Sequence, residues 1–90
     1  MKKAGKKPIV KKQSSNNLVN KDLLALGKRI KALRLKQGFT NYEYFAYEHN
    51  IPRAQYGRYE KGEDLKYSSL LKVVKALGLT MEEFFSEGFE

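Results

Sequence analysis

Four stop signals, Gly38, Asn50, Gly62 and Gly78, cut the chain after Asp22 into short segments, and within them apolar residues recur every three or four positions. That spacing belongs to helices; nothing alternates with the period of two that a strand needs. Leu23, Leu26, Ile30 and Leu33, with lysines between them, predict a first helix that stops at Gly38. Thr40 with Glu43 three residues later reads as a capping box, opening a second helix whose inner face is Tyr42, Phe45, Ala46 and His49. That helix ends near Asn50, a residue that tolerates positive φ. Pro52 suits the first turn of a third helix, which runs through Tyr56 and Tyr59 to Lys61. After a linker, Glu63 to Lys66, the stripe Tyr67, Leu70, Leu71, Val74 and Leu77 predicts a fourth helix. Thr80 and Glu83 form a second capping box for a last short helix with Phe84 and Phe85. The expected fold is all-α, five short helices and no strand, without internal repeats.

A chain of 90 residues with 41% hydrophobic content fits one small core. It has no cysteine and a single histidine, His49, so neither a disulfide framework nor a Cys- or His-rich metal site is expected, and no cofactor is called for. No apolar run approaches the ~20 residues that cross a bilayer, and no apolar signal-peptide region follows the Lys-rich start. A cytoplasmic protein with no membrane partner is the expectation.

The net charge of +8 is unevenly distributed. Residues 1 to 20 hold six lysines, Lys2, Lys3, Lys6, Lys7, Lys11 and Lys12, and no acid, leaving +2 for the rest. This stretch contains Gly5 and Pro8, lacks periodicity, and has too little apolar surface to offset chain entropy, so it reads as a disordered basic arm. Residues 21 to 90 read as the folded domain. Acids gather at the C-terminus (Glu82, Glu83, Glu87, Glu90), whereas Lys21 to Lys75 holds twelve basic residues against six acids. Such a distribution points to a polyanionic partner.

The second and third helices are joined by so few residues that they must cross steeply. In the twenty-residue unit from Tyr42 to Lys61, the fifth place is the small Ala46, the ninth Asn50 and the fifteenth Tyr56. A small fifth residue lets the helices approach, the ninth takes an unusual backbone angle, and the fifteenth packs back between them. Phe45, Ile51 and Tyr59 supply the apolar fourth, tenth and eighteenth places; His49 at the eighth is the exception. Helical geometry then turns Ala54, Gly57, Arg58 and Lys61 outward, flanked by Arg53 and Gln55. A glycine inside a helix costs about 1 kcal/mol relative to alanine, and close approach to a groove wall would explain Gly57.

With Leu-Gly-Lys-Arg-Ile-Lys-Ala-Leu-Arg (26 to 34), Phe-Ala-Tyr-Glu-His-Asn-Ile (45 to 51), Tyr-Gly-Arg-Tyr-Glu-Lys-Gly (56 to 62) and Leu-Leu-Lys-Val-Val-Lys-Ala-Leu-Gly-Leu (70 to 79), residues 22 to 85 resemble the XRE family of helix-turn-helix DNA-binding domains. The resemblance implies a compact five-helix, lambda-repressor-like domain whose recognition helix, about 52 to 61, lies in the major groove of double-stranded DNA, commonly as a homodimer on a two-fold site. It favours Arg53, Ala54, Gln55 and Arg58 as base readers, and Gly57 is expected at a base contact beside them. Arg58 suits the O6 and N7 edge of guanine and Gln55 suits adenine. Lys61 and, more weakly, Lys66 are expected at phosphates. Between Gly38 and Ala46 the chain is one residue longer than the family pattern, so the contact at the start of the second helix falls on Asn41 or Tyr42. Pro52 stands where Ser or Thr usually caps the recognition helix. The family also pairs the positions of Arg34 and Glu60 as a structural ion pair, which accounts for Glu60 without catalysis.

The remaining residues have quieter readings. His49 is a packed or helix-end histidine, Tyr56, Tyr59 and Tyr67 fall on core stripes, and Tyr44 and Tyr47 project outward. Phe84 completes the core, while Phe85 and Phe89 either pack within the chain or offer an apolar surface to a partner subunit. The expected function is a sequence-specific transcriptional regulator, a repressor occupying operator DNA, and not an enzyme, since no nucleophile–base pair or phosphate loop is present. The alternatives are an antitoxin or coactivator-type module with a protein partner, or a non-specific polyanion binder acting through the arm. Arm contact with DNA is expected; a localisation signal or solubility are its other readings.

Overall fold

Between Lys12 and Asp22 the chain has neither glycine nor proline, and the first helix already runs through this stretch: α1 spans Lys12–Lys36. The computed structural model describes residues 12–89, with the side chains from Lys21 onward. The expected start of the first helix at Asp22 therefore lies well inside α1. A helix anchored by its packed half propagates at one hydrogen bond per residue until a breaker stops it, and Pro8 and Gly5 lie further upstream. Of the expected arm, residues 12–20 have helical backbone and residues 1–11 lie outside the described residues.

The other elements are α2 (Tyr42–Glu48), α3 (Arg53–Glu60), α4 (Tyr67–Ala76) and α5 (Met81–Phe84). Among the described residues there is no strand. The first four helices all end in the same way. Gly38, Asn50, Gly62 and Gly78 each take a positive φ, Asn50 at 58° and the glycines between 78° and 96°. In each case the third residue after the helix donates its backbone N–H back into the last turn: Phe39 to Arg34, Ile51 to Ala46, Glu63 to Arg58 and Leu79 to Val74. This Schellman closure satisfies carbonyls that the helix itself leaves open.

Helix starts are less uniform. Asn41, not Thr40, caps α2, its Oδ1 accepting from the N–H groups of Glu43 (2.7 Å) and Tyr44 (3.1 Å). The expected Thr40–Glu43 box gives way because the adjacent Asn41 is the stronger capping type and reaches two donors. The second box is present at α5, where Thr80 and Glu83 exchange hydrogen bonds. Pro52 and Lys66 precede α3 and α4 with no side-chain cap.

Ile30 and Leu33 of α1, Phe45 and Ala46 of α2, Tyr56 and Tyr59 of α3, and Leu70, Val73, Val74 and Leu77 of α4 and its end form one buried core with Ile51 and Phe84. On α4 the stripe is rotated from the expected one. Val73 is buried, Leu71 is half-buried, and Tyr67 is 65% exposed because it opens the helix, ahead of the turns that face the core. The four-residue α5 is too short to stand alone. Burial of the Phe84 ring, worth about 1.5–3 kcal/mol, holds it in place, together with Arg29 of α1, which donates to the carbonyls of Phe84 (2.8 Å) and Glu83 (3.1 Å). Phe85 meets the Phe84 ring edge-on and Phe89 lies tilted against both, with Phe85 still 44% exposed.

Candidate nucleic-acid interface

Helix α3 is held from two sides, by α1 and by α2. On the α1 side the backbones nearly touch: Gly27 is buried against the carbonyls of Tyr59 and Glu60, where no side chain would fit. Beside this contact Arg34 grips Glu60 with two parallel bonds, Nε to Oε2 at 2.7 Å and Nη2 to Oε1 at 3.0 Å, and its Nη1 donates to the Phe39 carbonyl at 2.6 Å. The Tyr56 hydroxyl donates to the same Glu60 carboxylate. Both charged side chains are almost fully buried, so the pair fixes α3 against α1 rather than adding much net stability. Burial, and then the bond to Glu60, pushes the Tyr56 phenol well above its ordinary value of 10.0. The bond to Glu60 likewise raises the Arg34 guanidinium, over the opposing effect of burial.

On the α2 side, Tyr42 lays its ring over Gly57 and stacks near Tyr56, centroids 6.3 Å apart. This corrects the expected outward position of Gly57, which is buried beneath the Tyr42 ring. Its lack of a side chain makes room for the Tyr42 ring. The Tyr42 hydroxyl has no hydrogen-bond partner among the described residues. His49 sits at the end of α2 with its ring 4.5 Å from that of Phe45.

The face left to solvent carries Arg53, Ala54, Arg58 and Lys61, all exposed, with Gln55 half-buried at its edge. Two shallow grooves flank it. Asn41 and Arg53 share one with Glu43, Tyr44 and Tyr47, joining the starts of α2 and α3. Gln55, Arg58 and Lys66 share the other with Asp64 and Ser69, between α3 and the start of α4. Asn41 spends its carbonyl oxygen on the α2 cap, which leaves its amide donor for an outside acceptor. Lys61 stands at the α3 C-terminus.

One neighbour of this face escaped sequence reasoning. Glu63 places Oε1 3.5 Å from Arg58 Nε, with both side chains about half exposed. The signal was available: a glycine stop at 62 folds residue 63 back over residue 58.

The arrangement is a short helix braced from behind by α1 and α2, with its basic side turned to solvent. Among the described residues no helix is long and apolar enough to cross a membrane. Neither the curated proteins nor the solved structures compared with the chain gave a match. The helix-turn-helix family pattern does match, over residues 30–84, which takes in everything from the last two turns of α1 to the end of α5. The chain belongs to the XRE-type helix-turn-helix family of DNA-binding transcription regulators.

Proposed function

We propose that the protein is a sequence-specific regulator, a repressor that reads double-stranded operator DNA with α3 in the major groove and acts by occupying the site. The observation that carries this reading is the exposed, basic outer face of a helix whose opposite side is locked by a buried ion pair and a glycine contact. Arg58 grips a guanine edge through its two Nη groups, Gln55 reads adenine, and Arg53 and Ala54 meet neighbouring bases. Lys61, Lys66, the Asn41 amide and the free Tyr42 hydroxyl contact phosphates and set the register. The protein works as a homodimer on a two-fold site in the cytoplasm. The six lysines of residues 1–20 add attraction that depends on salt but not on sequence.

Selection of binding sites from a random duplex pool at physiological salt, with wild type beside Arg58→Ala, tests this. A two-fold symmetric motif enriched by wild type and lost by the variant is the expected result. No enrichment, with equal residual binding by both proteins, overturns operator reading in favour of a non-specific polyanion binder or a module for a protein partner.

A further inference from the structure

The four Schellman closures differ at one chemical detail. The residue that folds back over the helix end is the half-buried Phe39 after α1, the buried Ile51 after α2 and the half-buried Leu79 after α4, each packed into or against the core. After α3 it is Glu63, exposed, with its carboxylate on Arg58. The place that usually holds an apolar clasp thus holds a charge, at the helix whose outer face is presented for recognition. Its position is not left to a floppy loop. The Glu63 N–H donates to the Arg58 carbonyl at 3.1 Å and Gly62, at φ 94°, donates to Tyr59, so the backbone fixes Glu63 beside Arg58 whatever the side chains do. The neighbouring acid, Asp64, is used differently, its Oδ1 accepting from the N–H of Leu65 at 2.8 Å.

The contact falls on the Nε edge of Arg58 and leaves both Nη groups without a partner among the described residues. An exposed ion pair at 3.5 Å does not lock the guanidinium but biases it toward orientations that keep Nε at the carboxylate and the Nη fork open, so less freedom is lost when it meets two acceptors at guanine spacing. A phosphate approaching the same arginine meets the carboxylate as well, and like charges repel. Resting on the reading of Arg58 as a base reader, we infer that Glu63 is a positioning residue for specificity, which orients Arg58 for a base edge and rejects the DNA backbone.

The test uses the full chain as wild type, Glu63→Gln, Arg58→Ala and the double variant. Each is titrated with the duplex selected by wild type and with a scrambled duplex of equal length, at several salt concentrations. Glutamine keeps size and shape, and the exposed position lets the variant fold, which a thermal melt checks. The expected result is that Glu63→Gln lowers the ratio of selected to scrambled affinity about two- to fivefold, the range that exposed ion pairs support, with tighter binding to the scrambled duplex. In the Arg58→Ala background the same substitution leaves the ratio unchanged. An unchanged ratio in Glu63→Gln overturns the inference, as does an equal change with and without Arg58, while a loss of preference in Arg58→Ala keeps operator reading intact. A wild type that prefers no sequence overturns both.

Discussion

The ring of Tyr42 covers Gly57 so closely that a methyl group on that glycine would stand 2.8 Å from the ring's Cε1. The contact is with a half-buried side chain, not with backbone, so it has room to give. Alanine in a helix interior gains about 1 kcal/mol over glycine, and displacing the ring offsets that gain. Gly57→Ala is expected to leave stability within about 1 kcal/mol of wild type, whereas in a Tyr42→Ala background the same change stabilises by about 1 kcal/mol. Urea unfolding of the four proteins measures both steps. Equal stabilisation in both backgrounds would show that the ring does not constrain position 57.

Gly27 presents the opposite case, because its neighbours are backbone. A methyl group there would lie 2.6 Å from the Glu60 carbonyl oxygen and 2.8 Å from that of Tyr59. Neither can move without shifting α3, so overpacking dominates the gain in helix propensity. Gly27→Ala is expected to cost about 1–3 kcal/mol, a fall in Tm of about 5–20 °C for a domain of this size. A thermal melt with unchanged or raised Tm contradicts the close approach of α1 and α3.

Asn41 allows its two assignments to be separated. As the cap of α2 it needs only an oxygen; as a phosphate contact it needs its amide. Asn41→Asp keeps the acceptor and places a negative charge at a helix N-terminus, so stability holds or rises by about 0.3–1 kcal/mol. The same variant loses the amide donor and repels phosphate, so its affinity for duplex DNA falls. Asn41→Ala loses the cap and about 0.5–2 kcal/mol with it. Melting curves beside duplex titrations distinguish the two, and an Asn41→Asp protein that binds DNA as well as wild type removes Asn41 from the interface.

The Arg34–Glu60–Tyr56 cluster gives the fold a sensitivity to alkali. Tyr56 is raised above 10.0 in the folded protein, by burial first and by its bond to Glu60 second. Above pH 10 the unfolded chain therefore releases this proton while the folded chain keeps it, and stability falls as pH rises, by about 1.4 kcal/mol per pH unit for one proton. Arg34, raised above its ordinary value by its bond to Glu60, acts in the same direction at still higher pH. Chemical unfolding from pH 8 to pH 11 is expected to show no loss from these two groups below pH 10 and a decline above it. Tyr56→Phe is expected to cost about 1 kcal/mol at neutral pH through the lost hydrogen bond and to flatten the alkaline decline. A decline of equal slope in the variant would assign it to other groups.

The turn between α2 and α3 was legible because steric demands there leave few choices. Ala46 is fully buried where the helices cross, Asn50 takes the positive φ, and Tyr56 is fully buried between its neighbours. Gly57 was misread because periodicity reports which side of a helix is apolar, and a glycine covered by another helix's tyrosine contributes nothing to that signal. Tyr67 was misread for the converse reason: it keeps the period of its stripe but opens α4, beyond what the core covers. Thr40 and Asn41 are both capping types, and the Thr-x-x-Glu spacing favoured the weaker one. Gly27, by contrast, lies within the family-like stretch 26 to 34 and still gave no warning, since what it meets lies on α3, far along the chain.

Three side chains close helix or turn carbonyls far from them in sequence: Arg29 those of Glu83 and Phe84, Gln37 that of Leu77, and Lys72 that of Asn50. Two of these ties run from α1 and the residue after it, made early by the ribosome, to segments made late. Until α5 docks, Arg29 has no Glu83 or Phe84 carbonyl to hold and the buried core lacks the Phe84 ring. An early segment and a late one thus hold each other, and the tie closes only when α5 reaches α1.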